Sequence, residues 1–480
     1  MITRIKINGF KSLLDTELYF GPFTCIAGAN AVGKSNFFDA LMFLSQLSDK
    51  TILEAAKSVR SENQKHANFK DIFFKNGDEY LTTMKFEVDM IVPQEAEDDL
   101  GQKSKATTTS LKYTLELNLN LYDNDKEPIE IIKEELIPIK SREARKNIYF
   151  NHKKEWKDSV FLGRGTGTPF ISTEGDKLRL HQDRNQGSTT KFFAKKMPRT
   201  LLSKADSVTP TAFLARQEMR NWMMLQFEPS ALRNPNSTYE IKNAEIQANG
   251  ANLPATLFRL QSVEKEQGRT YQTLTNKLKE LISNVSYVSV DKDDKRDLLT
   301  LQLTFKDGLV LPAQSLSDGT LRFLALAIIE QDNMGSGLIC LEEPENGINP
   351  KKINEMIELL EGMATDTDYE VDEDNPLRQV IINTHSPIVV SSVPHESLYL
   401  AKEYEVYMDE FKRKVKATTF VALQDTWKTN SNLVLTTNLA EINGYLDNLD
   451  VKKEKNITLV NSTKVKKTVR EHVNQLKIEY

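Results

Sequence analysis

The sequence predicts an α/β protein whose functional residues lie at one edge of a mainly parallel sheet. Three apolar stretches of strand length support this class: FTCIAG (residues 23–28), LICL (338–341) and QVIINT (379–384). A helical pattern follows the first stretch and another separates the second from the third, which is typical of crossovers between parallel strands. We therefore expect the carboxyl ends of these strands to meet at one edge of the sheet.

The composition indicates ordinary packed domains. The chain has 480 residues, of which 39% are hydrophobic, and a formal net charge of -5, so it has no overall basic field for nucleic acid. Cys25 and Cys340 lie in apolar strand-like stretches, which favours buried thiols over a disulfide or metal site. The chain contains no stretch of about 18 apolar residues that could span a bilayer. At the N-terminus, apolar and polar residues alternate as in a strand, which does not fit a secretory signal. We expect a soluble, cytoplasmic protein without membrane contact.

The stretch GANAVGKSN (residues 28–36) has the spacing of a phosphate-binding loop. Gly28 and Gly33 are separated by four residues, and Lys34 and Ser35 follow directly. A predicted strand precedes the loop, and apolar residues at positions 37, 41, 44 and 47 predict a helix after it. In this order the backbone N–H groups face the phosphates, Lys34 contacts the terminal phosphates and Ser35 binds Mg²⁺. The alternative is a plain glycine turn before a helix.

Two adjacent carboxylates follow the second apolar stretch. Glu342 and Glu343 come directly after Leu341, at the edge where a parallel sheet binds its ligand. Phosphoryl transfer to water needs one carboxylate near Mg²⁺ and another near the attacking water. We therefore assign Glu342 to the metal, through water, and Glu343 to the attacking water. Taken alone, the pair also fits a solvated strand end.

A single histidine, His385, ends the third apolar stretch. A lone histidine is more often structural than functional. Here, however, a short helical pattern between the second and third strands predicts a crossover that brings His385 beside Glu343. We therefore predict that His385 reaches the terminal phosphate of a bound nucleotide.

A second phosphate-binding helix end is predicted before the acidic strand. In QSLSDGTLRFLALAIIE, the residues Ser317, Asp318 and Gly319 stand at the N-terminus of an apolar helical pattern. One compact sheet cannot place this end and the Gly28 loop on the same nucleotide. The sequence therefore predicts two copies of the chain in head-to-tail contact, each nucleotide being shared between them.

Five stretches occur in a fixed order along the chain: IKINGFKSL, GANAVGKSNFFDAL, SLSDGTLR, LICLEEPENGINP and NTHSP. In these five stretches and their order, the chain resembles an ABC-type ATPase of the group that contains RecF, the SMC proteins and the OLD-type ATPases. The resemblance implies an ABC-type ATPase head, in which a mixed or parallel sheet is flanked by helices. It also implies ATP and Mg²⁺ as ligands and a head-to-tail homodimer or a higher assembly of such dimers.

The resemblance assigns a role to each motif residue. The matches are Gly28 to Ser35 for the Walker A loop, with Asn30 and Asn36 also at the nucleotide; Ser317, Asp318 and Gly319 for the signature motif; Glu342 and Glu343 for Walker B; Asn346 to Pro350 for the D-loop; and His385 for the switch histidine. Two departures occur. Many relatives have histidine where this chain has Asn349, and the Q-loop glutamine is not evident, Gln217 being one candidate.

Four regions are expected. They are an ATPase lobe with the Walker A loop (1–90), a β-rich basic insertion with a helical segment (91–284), a second ATPase lobe (285–400) and a C-terminal extension for partner docking (401–480). One charged helix is predicted at 263–282, too short for the arms of SMC proteins. The extension lacks the D-x-D pair of a TOPRIM nuclease, so we expect no nuclease activity. Its lysine-rich end is a candidate docking surface, containing Lys464, Lys466, Lys467 and Arg470.

The most basic stretch is residues 140–199, with 15 Lys or Arg against 6 Asp or Glu. Aromatic residues are interleaved with these cations, at Tyr149, Phe150, Trp156, Phe161, Phe192 and Phe193. Cations that follow phosphates and rings that stack on bases would suit DNA contact. A solvated face over an ordinary β core explains the same pattern, and both interpretations stay open.

The resemblance is nearest to stand-alone ATPases of bacterial anti-phage defence systems, such as Septu or PARIS. By this analogy the chain is a regulatory subunit that controls a separate effector, a nuclease or toxin, through ATP-dependent dimerisation. The alternative is a RecF-like DNA-binding ATPase in repair or replication. A transporter subunit is disfavoured because the large insertion leaves no ordinary coupling surface. A hexameric motor is disfavoured because LSDGT has no role in a ring.

Overall fold

A computed structural model gives the fold. It describes residues 1–59, 68–98, 101–120, 127–165, 167–183, 191–263, 268–332, 337–431 and 436–437. Within these ranges the strands are, in chain order, β1 (Ile2–Asn8), β2 (Thr16–Tyr19), β3 (Phe23–Ala27), β4 (Lys75–Asn76), β5 (Glu79–Tyr80), β6 (Thr83–Ile91), β7 (Glu95–Glu97), β8 (Lys103–Lys105), β9 (Ser110–Leu119), β10 (Ile129–Pro138), β11 (Ile171–Glu174), β12 (Lys177–Leu180), β13 (Lys191–Phe193), β14 (Met223–Leu225), β15 (Asn236–Ser237), β16 (Val285–Asp293), β17 (Leu298–Phe305), β18 (Val310–Pro312), β19 (Gly337–Glu342), β20 (Arg378–Thr384), β21 (Leu398–Met408), β22 (Arg413–Leu423) and β23 (Thr436–Thr437).

Helices connect and cover these strands. In the same ranges they are α1 (Lys34–Gln46), α2 (Ile52–Ser58), α3 (Ser141–Lys146), α4 (Lys154–Val160), α5 (Pro210–Arg220), α6 (Pro229–Arg233), α7 (Leu253–Val263), α8 (Arg269–Leu281), α9 (Asp318–Gln331), α10 (Ile353–Gly362) and α11 (Pro387–Ser392). None of the described helices is both long enough and apolar enough to cross a membrane.

A seven-stranded sheet positions the predicted motifs. Its order is β14-β19-β20-β3-β21-β22-β23, and the first five strands run parallel to their neighbours. In the pairing register Glu342 lies opposite Asn383, and Thr384 lies opposite Ala27. The residues that follow β14, β19, β20 and β3 therefore meet at one edge of the sheet. The parallel core that the three apolar stretches predict is confirmed.

Both faces of this sheet are buried, which explains the unbroken apolar stretches of its central strands. In β3, Ile26 packs into the core on one face, whereas Cys25 and Ala27 pack into the core on the other. β19 divides its residues in the same alternating way, because successive side chains of a strand point to opposite faces. Helices α9 and α10 contribute to the second core.

An antiparallel sheet of eight strands covers the first core. Its order is β13-β12-β11-β10-β9-β6-β1-β2. Helix α1 packs between the two sheets, since the ring of Phe43 contacts Phe86 on β6 and the ring of Phe37 contacts Phe420 on β22. All four rings are buried, and burying each one stabilises the fold by about 1.5–3 kcal/mol. This packing fixes the helix that follows the phosphate loop.

A third sheet lies beside the predicted signature motif. It contains β15, β17, β16 and β18, and α8 packs against β16 and α9. Within the described residues, the single helix expected at 263–282 is confirmed only from Arg269 to Leu281, which is α8, whereas Val263 belongs to α7. The left-handed backbone of Gly268, with φ of 89°, directly precedes α8 and separates it from the preceding segment.

The sheets cross the region boundaries that the sequence suggested. Strand β6 passes through residue 90, and β9 to β13 continue the sheet that β1 and β6 begin. Strand β14, from the expected insertion, joins the seven-stranded sheet, and so do β21 and β22 from the boundary at residue 400 onward. The extension therefore supplies strands to the ATPase core. The lysine-rich end at Lys464–Arg470 lies outside the described residues.

The basic stretch is mostly part of a packed structure. Phe150, Trp156 and Phe161 are buried in one small core, so these rings are not available for stacking on bases. Phe192 and Phe193 on the edge strand β13 are exposed, with 36% and 53% of their surface accessible. The sequence pattern could not separate these two groups, because aromatic residues suit both a core and a binding surface.

Candidate functional site

The glycine loop connects β3 to α1, as its sequence predicts. At Gly33 the backbone has φ of 96°, in the left-handed region. A Cβ atom there would lie 2.1 Å from the hydroxyl oxygen of Thr418 and 2.5 Å from that of Ser12. Position 33 therefore requires glycine for two independent reasons, the backbone conformation and the lack of space.

Lys34 is folded back onto the loop that precedes it. Its ammonium group donates hydrogen bonds to the carbonyl oxygens of Gly28, at 2.8 Å, and Ala29, at 2.7 Å. Burial lowers the pKa of this ammonium group, and the nearby carboxylates, that of Glu343 foremost, oppose the shift. Because the two carbonyl contacts are neutral, phosphate oxygens of a bound nucleotide would compete with them strongly.

The acidic pair lies at the end of β19 and is held by the neighbouring strand. The side-chain amide of Asn383 donates to Glu342 Oε1 at 3.0 Å. The backbone N–H of Glu343 donates to the carbonyl oxygen of Asn383, also at 3.0 Å. β20 therefore holds the carboxylate of Glu342 and the backbone of Glu343. Asn383 was not anticipated from the sequence, because an asparagine within an apolar strand gives no local signal of function.

Glu343 contacts two polar side chains. His385 Nδ1 lies 2.8 Å from Glu343 Oε1, and the side-chain amide of Asn346 donates to Glu343 Oε2 at 2.9 Å. The third carboxylate of the motif, Glu345, accepts a hydrogen bond from the Thr384 hydroxyl, and burial raises its pKa. The carboxylate of Glu343 thus has one fixed plane, in which each oxygen keeps further lone pairs for a ligand.

A cleft of about 770 Å³ joins the loop to the acidic strand end. Seven of the expected site residues line it: Asn30, Gly33, Lys34, Ser35, Asn36, Glu342 and Glu343. Gly28 and His385 are not lining residues, although Lys34 bonds to the first and Glu343 to the second. Asn346, the first residue of the predicted D-loop, also lines the cleft, and so do three residues that were not expected, namely Gln226, Arg322 and Asn383.

Gln226 is a glutamine that lines the cleft at this edge of the sheet. It directly follows β14, which pairs in parallel with β19, and its backbone N–H is anchored to the carbonyl oxygen of Ala248. Gln217, the earlier candidate, lies within α5 and does not line the cleft. A strand of three residues gives too short a pattern for sequence analysis to place Gln226.

The cleft holds oxygen ligands that suit Mg²⁺. The Ser35 hydroxyl and the Glu342 carboxylate line it together, and hard oxygen donors are the ligands this ion prefers. The described part of the chain contains no group of three or more His, Cys, Asp or Glu that could hold a metal ion. A metal held by one or two protein oxygens together with substrate phosphates fits this arrangement.

The expected signature residues form a second, separate cleft of about 400 Å³. Ser317 caps α9 by accepting a hydrogen bond from the Thr320 N–H, and a Cβ atom on Gly319 would lie 2.1 Å from the carbonyl oxygen of Gly347. Asp318 forms an ion pair with Arg233. The lining residues are Leu281, Ile282, Ser317, Gly319, Thr320, Gly347, Ile348, Asn349, Lys351 and Lys352. None of them lines the loop cleft.

The fold and the loop cleft define an ATPase with an ABC-type head: a buried parallel sheet flanked by helices, a glycine loop and an acidic strand end. The family model described as AAA domain, putative AbiEii toxin, Type IV TA system matches residues 23–391. The chain therefore belongs to this family. It is an ATPase of the AAA type, and nucleotide binding follows from that membership.

Comparison with solved structures finds heads of SMC proteins. One is an SMC head bound to the C-terminal winged-helix domain of ScpA, at 13% identity and a TM-score of 0.44, covering 88% of this chain and 98% of that one. An SMC head domain from Thermotoga maritima has 11% identity, a TM-score of 0.37 and coverage of 88% and 99%. An SMC head domain with an extended coiled coil from Pyrococcus furiosus has 11% identity and a TM-score of 0.41. This comparison covers 90% of this chain and 99% of that one. A search of curated proteins gave no match.

Proposed function

We propose that the loop cleft binds ATP with Mg²⁺ and hydrolyses it. The observation that supports this most directly is that Lys34 and Ser35 line one cleft with Glu342 and Glu343. Lys34 would exchange its two carbonyl contacts for oxygens of the terminal phosphates. Ser35 and Glu342 would hold the metal, Glu342 through water. Bound Mg²⁺ would neutralise the charge that builds up on the phosphates.

Glu343 is the proposed base. It orients the attacking water and accepts its proton, while His385 and Asn346 hold the carboxylate in one plane. Gln226 and Asn383 line the same cleft, and Asn383 orients Glu342. Asn30 and Gly33 supply loop backbone to the nucleotide. The side-chain amide of Asn36 donates a hydrogen bond to Ser12. The proposed role of Asn36 is therefore to support the loop rather than to bind the nucleotide directly.

The decisive experiment compares Glu343→Gln with Lys34→Ala. Without its base, Glu343→Gln should bind ATP but hydrolyse it slower by on the order of a hundredfold or more. Lys34→Ala should lose ATP binding itself. Binding is measured with a fluorescent ATP analogue and turnover by phosphate release, with Glu373→Gln, a charge change in an exposed loop, as the matched control. Unchanged turnover in Glu343→Gln would remove Glu343 from the role of base.

We also infer that two chains share each nucleotide in head-to-tail contact. Ser317, Gly319 and Thr320 line a cleft that has no residue in common with the loop cleft, which supports contact between these residues and a nucleotide bound by another chain. Ser317 and Gly319 would contact the terminal phosphate of the partner's ATP. Asp318 is engaged by Arg233 and would support the motif rather than bind the nucleotide. ATP binding would close the dimer and hydrolysis would open it.

The biological role that we propose is regulation of a separate effector in anti-phage defence. The family description names a putative toxin and a type IV TA system, which supports a role beside a second protein. The test is to purify the chain together with the product of the adjacent gene and to weigh the complex by native mass spectrometry with and without ATP. Co-assembly that changes with ATP supports an effector controlled by this ATPase. A homodimer alone contradicts it.

A second candidate, direct DNA contact through residues 140–199, is favoured by one feature, the exposed end of β13. Phe193 is exposed, Lys177 lies 5.3 Å from the centre of its ring, and Lys191, Lys195 and Lys196 are exposed around it. Cations beside an exposed ring suit single-stranded DNA. Fluorescence anisotropy with a labelled oligonucleotide tests this candidate. Phe193→Ala should weaken binding about fivefold or more, whereas Phe161→Leu, a change in the core, should not.

A further inference from the structure

Three segments of the chain are joined by a series of side-chain hydrogen bonds behind the phosphate loop. The Thr418 hydroxyl lies 2.8 Å from the carbonyl oxygen of Val32 and 2.7 Å from the Ser12 hydroxyl. The side-chain amide of Asn36 donates to the same Ser12 hydroxyl at 2.7 Å. Segment 9–14, β22 and the start of α1 therefore meet at one point.

The direction of this series follows from the available protons. A carbonyl oxygen only accepts, so Thr418 donates its single hydroxyl proton to Val32. The Thr418 oxygen must then accept the proton of Ser12, and the Ser12 oxygen accepts from Asn36. Each hydroxyl donates once and accepts once. Removing either hydroxyl therefore leaves a donor or an acceptor without its partner, which is costly in a buried place.

The two hydroxyl groups are also fixed by the backbone around them. The N–H of Thr418 donates to the carbonyl oxygen of Ser12 at 2.9 Å, and Leu13 forms a parallel bridge with Thr418. Thr418 is 2% exposed. Gly33 packs directly against both hydroxyl oxygens, which leaves no room for any side chain there. The pair thus contacts the loop from outside the residues that line the cleft.

This pair sets the direction of a loop N–H group. The Val32–Gly33 peptide is trans, and in a trans peptide the carbonyl and the following N–H point in opposite directions. Because the Val32 carbonyl is turned toward Thr418, the N–H of Gly33 is turned away from it. Gly33 lines the loop cleft, so we expect this N–H to point toward the phosphates of a bound nucleotide.

We propose that Ser12 and Thr418 are positioning residues of the ATP site, which hold the Val32–Gly33 peptide in the orientation that binds phosphate. Neither residue lines the cleft, so neither touches the nucleotide. Both lie outside residues 23–391, the part that the family model matches. The inference rests on the proposed ATP site and adds to it a support from β22 and from the segment after β1.

The test removes the hydroxyl while keeping the shape of the side chain. Thr418→Val should raise the KM for ATP by about three- to thirtyfold, because the Val32 carbonyl loses its donor. kcat should change little, since Glu343 and His385 are untouched. Thr418→Ser restores the hydroxyl and should restore KM. Thr419→Val, the next residue on β22, is the matched control and should leave KM unchanged.

A purely structural role predicts a different result. It would lower the melting temperature of Thr418→Val without nucleotide and leave KM for ATP unchanged, and that outcome overturns the proposal. If Thr418→Val fails to fold, Ser12→Ala breaks the series at its half-buried end and must raise KM by itself. In the double variant the rise should be less than the product of the two single effects, because both act on one peptide.

Failure of this inference can be distinguished from failure of the ATP site itself. If the wild-type chain binds no ATP and Lys34→Ala changes nothing, the proposed function is wrong. If the wild-type chain hydrolyses ATP, Lys34→Ala abolishes binding, and Thr418→Val and Ser12→Ala keep the wild-type KM, only the positioning role is wrong.

Discussion

Glu343 adopts a backbone conformation that few residues other than glycine take. Its φ is 48°, a conformation that costs on the order of 1 kcal/mol or more and persists only where the surroundings impose it. Here the N–H of Glu343 bonds to the backbone carbonyl of Asn383, and its carboxylate bonds to His385 and Asn346. The strain turns the chain sharply at the end of β19 and presents the carboxylate in the cleft. A strained residue at this position is consistent with catalysis.

Removing the histidine that orients Glu343 should slow turnover. In His385→Ala the carboxylate loses its contact at Oε1, so kcat should fall by on the order of ten- to a hundredfold while KM for ATP changes less. Steady-state phosphate release measures both constants. His395→Ala, a change before β21 away from the cleft, is the control. A rise in the KM for ATP without a change in kcat would contradict an orienting role.

Lys428 should make stability depend on pH. It is buried beside the ring of Tyr399, and burial lowers its pKa from 10.5 to about 7. Between these values the unfolded chain holds a proton that the folded chain lacks. The free energy of unfolding should therefore rise with pH across this window, by at most about 1.4 kcal/mol per pH unit. This gain should disappear again as the pH falls toward 7.

Lys428→Met removes that proton and should flatten the dependence. Denaturant unfolding at several pH values between 7 and 10 measures it, and the difference between wild type and variant isolates the contribution of this lysine. Lys416→Met, an exposed lysine on β22, serves as the control. Parallel curves for wild type and Lys428→Met would show that the lysine stays charged in the folded chain.

At the scale of elements, one short helix connects the two clefts. Helix α6 begins three residues after Gln226, which lines the loop cleft, and ends at Arg233, which pairs with Asp318 in the signature segment. Arg233 also donates to the carbonyl oxygen of Leu316 at 3.0 Å. A displacement of the Gln226 segment by nucleotide would therefore be transmitted to the residues that would contact the partner chain's ATP.

Breaking this connection should weaken dimer closure but not ATP binding. In Arg233→Ala the signature segment loses its ion pair and one backbone contact. The dissociation constant of the ATP-dependent dimer should therefore rise about tenfold. Sedimentation of the Glu343→Gln background with and without Arg233→Ala measures the dimer, and a fluorescent ATP analogue measures binding. Lys242→Ala is the control. An unchanged dimer would show that α6 transmits nothing.

At the scale of the whole molecule, the separation of the two clefts predicts complementation between inactive chains. Lys34→Ala disables the loop cleft and Ser317→Arg blocks the signature cleft, so each variant alone should be inactive. In a mixed dimer, the loop of one chain and the signature of the other are both intact. A mixture should therefore recover about a quarter of wild-type turnover, because half of randomly formed dimers are mixed and each has one complete site.

Phosphate release from equal mixtures measures this recovery. Mixing either variant with itself supplies the control at the same total concentration. Absence of recovery, with mixed dimers present by native mass, would contradict head-to-tail sharing of the nucleotide.

The sequence predicted the elements whose signals are local. The buried strands β3, β19 and β20 showed as apolar stretches because both faces of the sheet are covered, and α1 showed by its spacing. The site residues on those strand ends were named for the same reason. Gln226 was missed because β14 has three residues. Ser12 and Thr418 were missed because they are 406 residues apart and meet only through the fold.

The position of β3 in its sheet also determines when the phosphate loop can form during synthesis. β3 is among the first strands made, yet both of its neighbours, β20 and β21, come more than 350 residues later. Until β22 has left the ribosome, residues 23–36 lack their neighbouring strands and Thr418. Pairings of such long sequence separation form slowly. A nascent chain therefore exposes an unpaired apolar strand for most of its translation, and chaperones that shield such strands should raise the yield of folded protein.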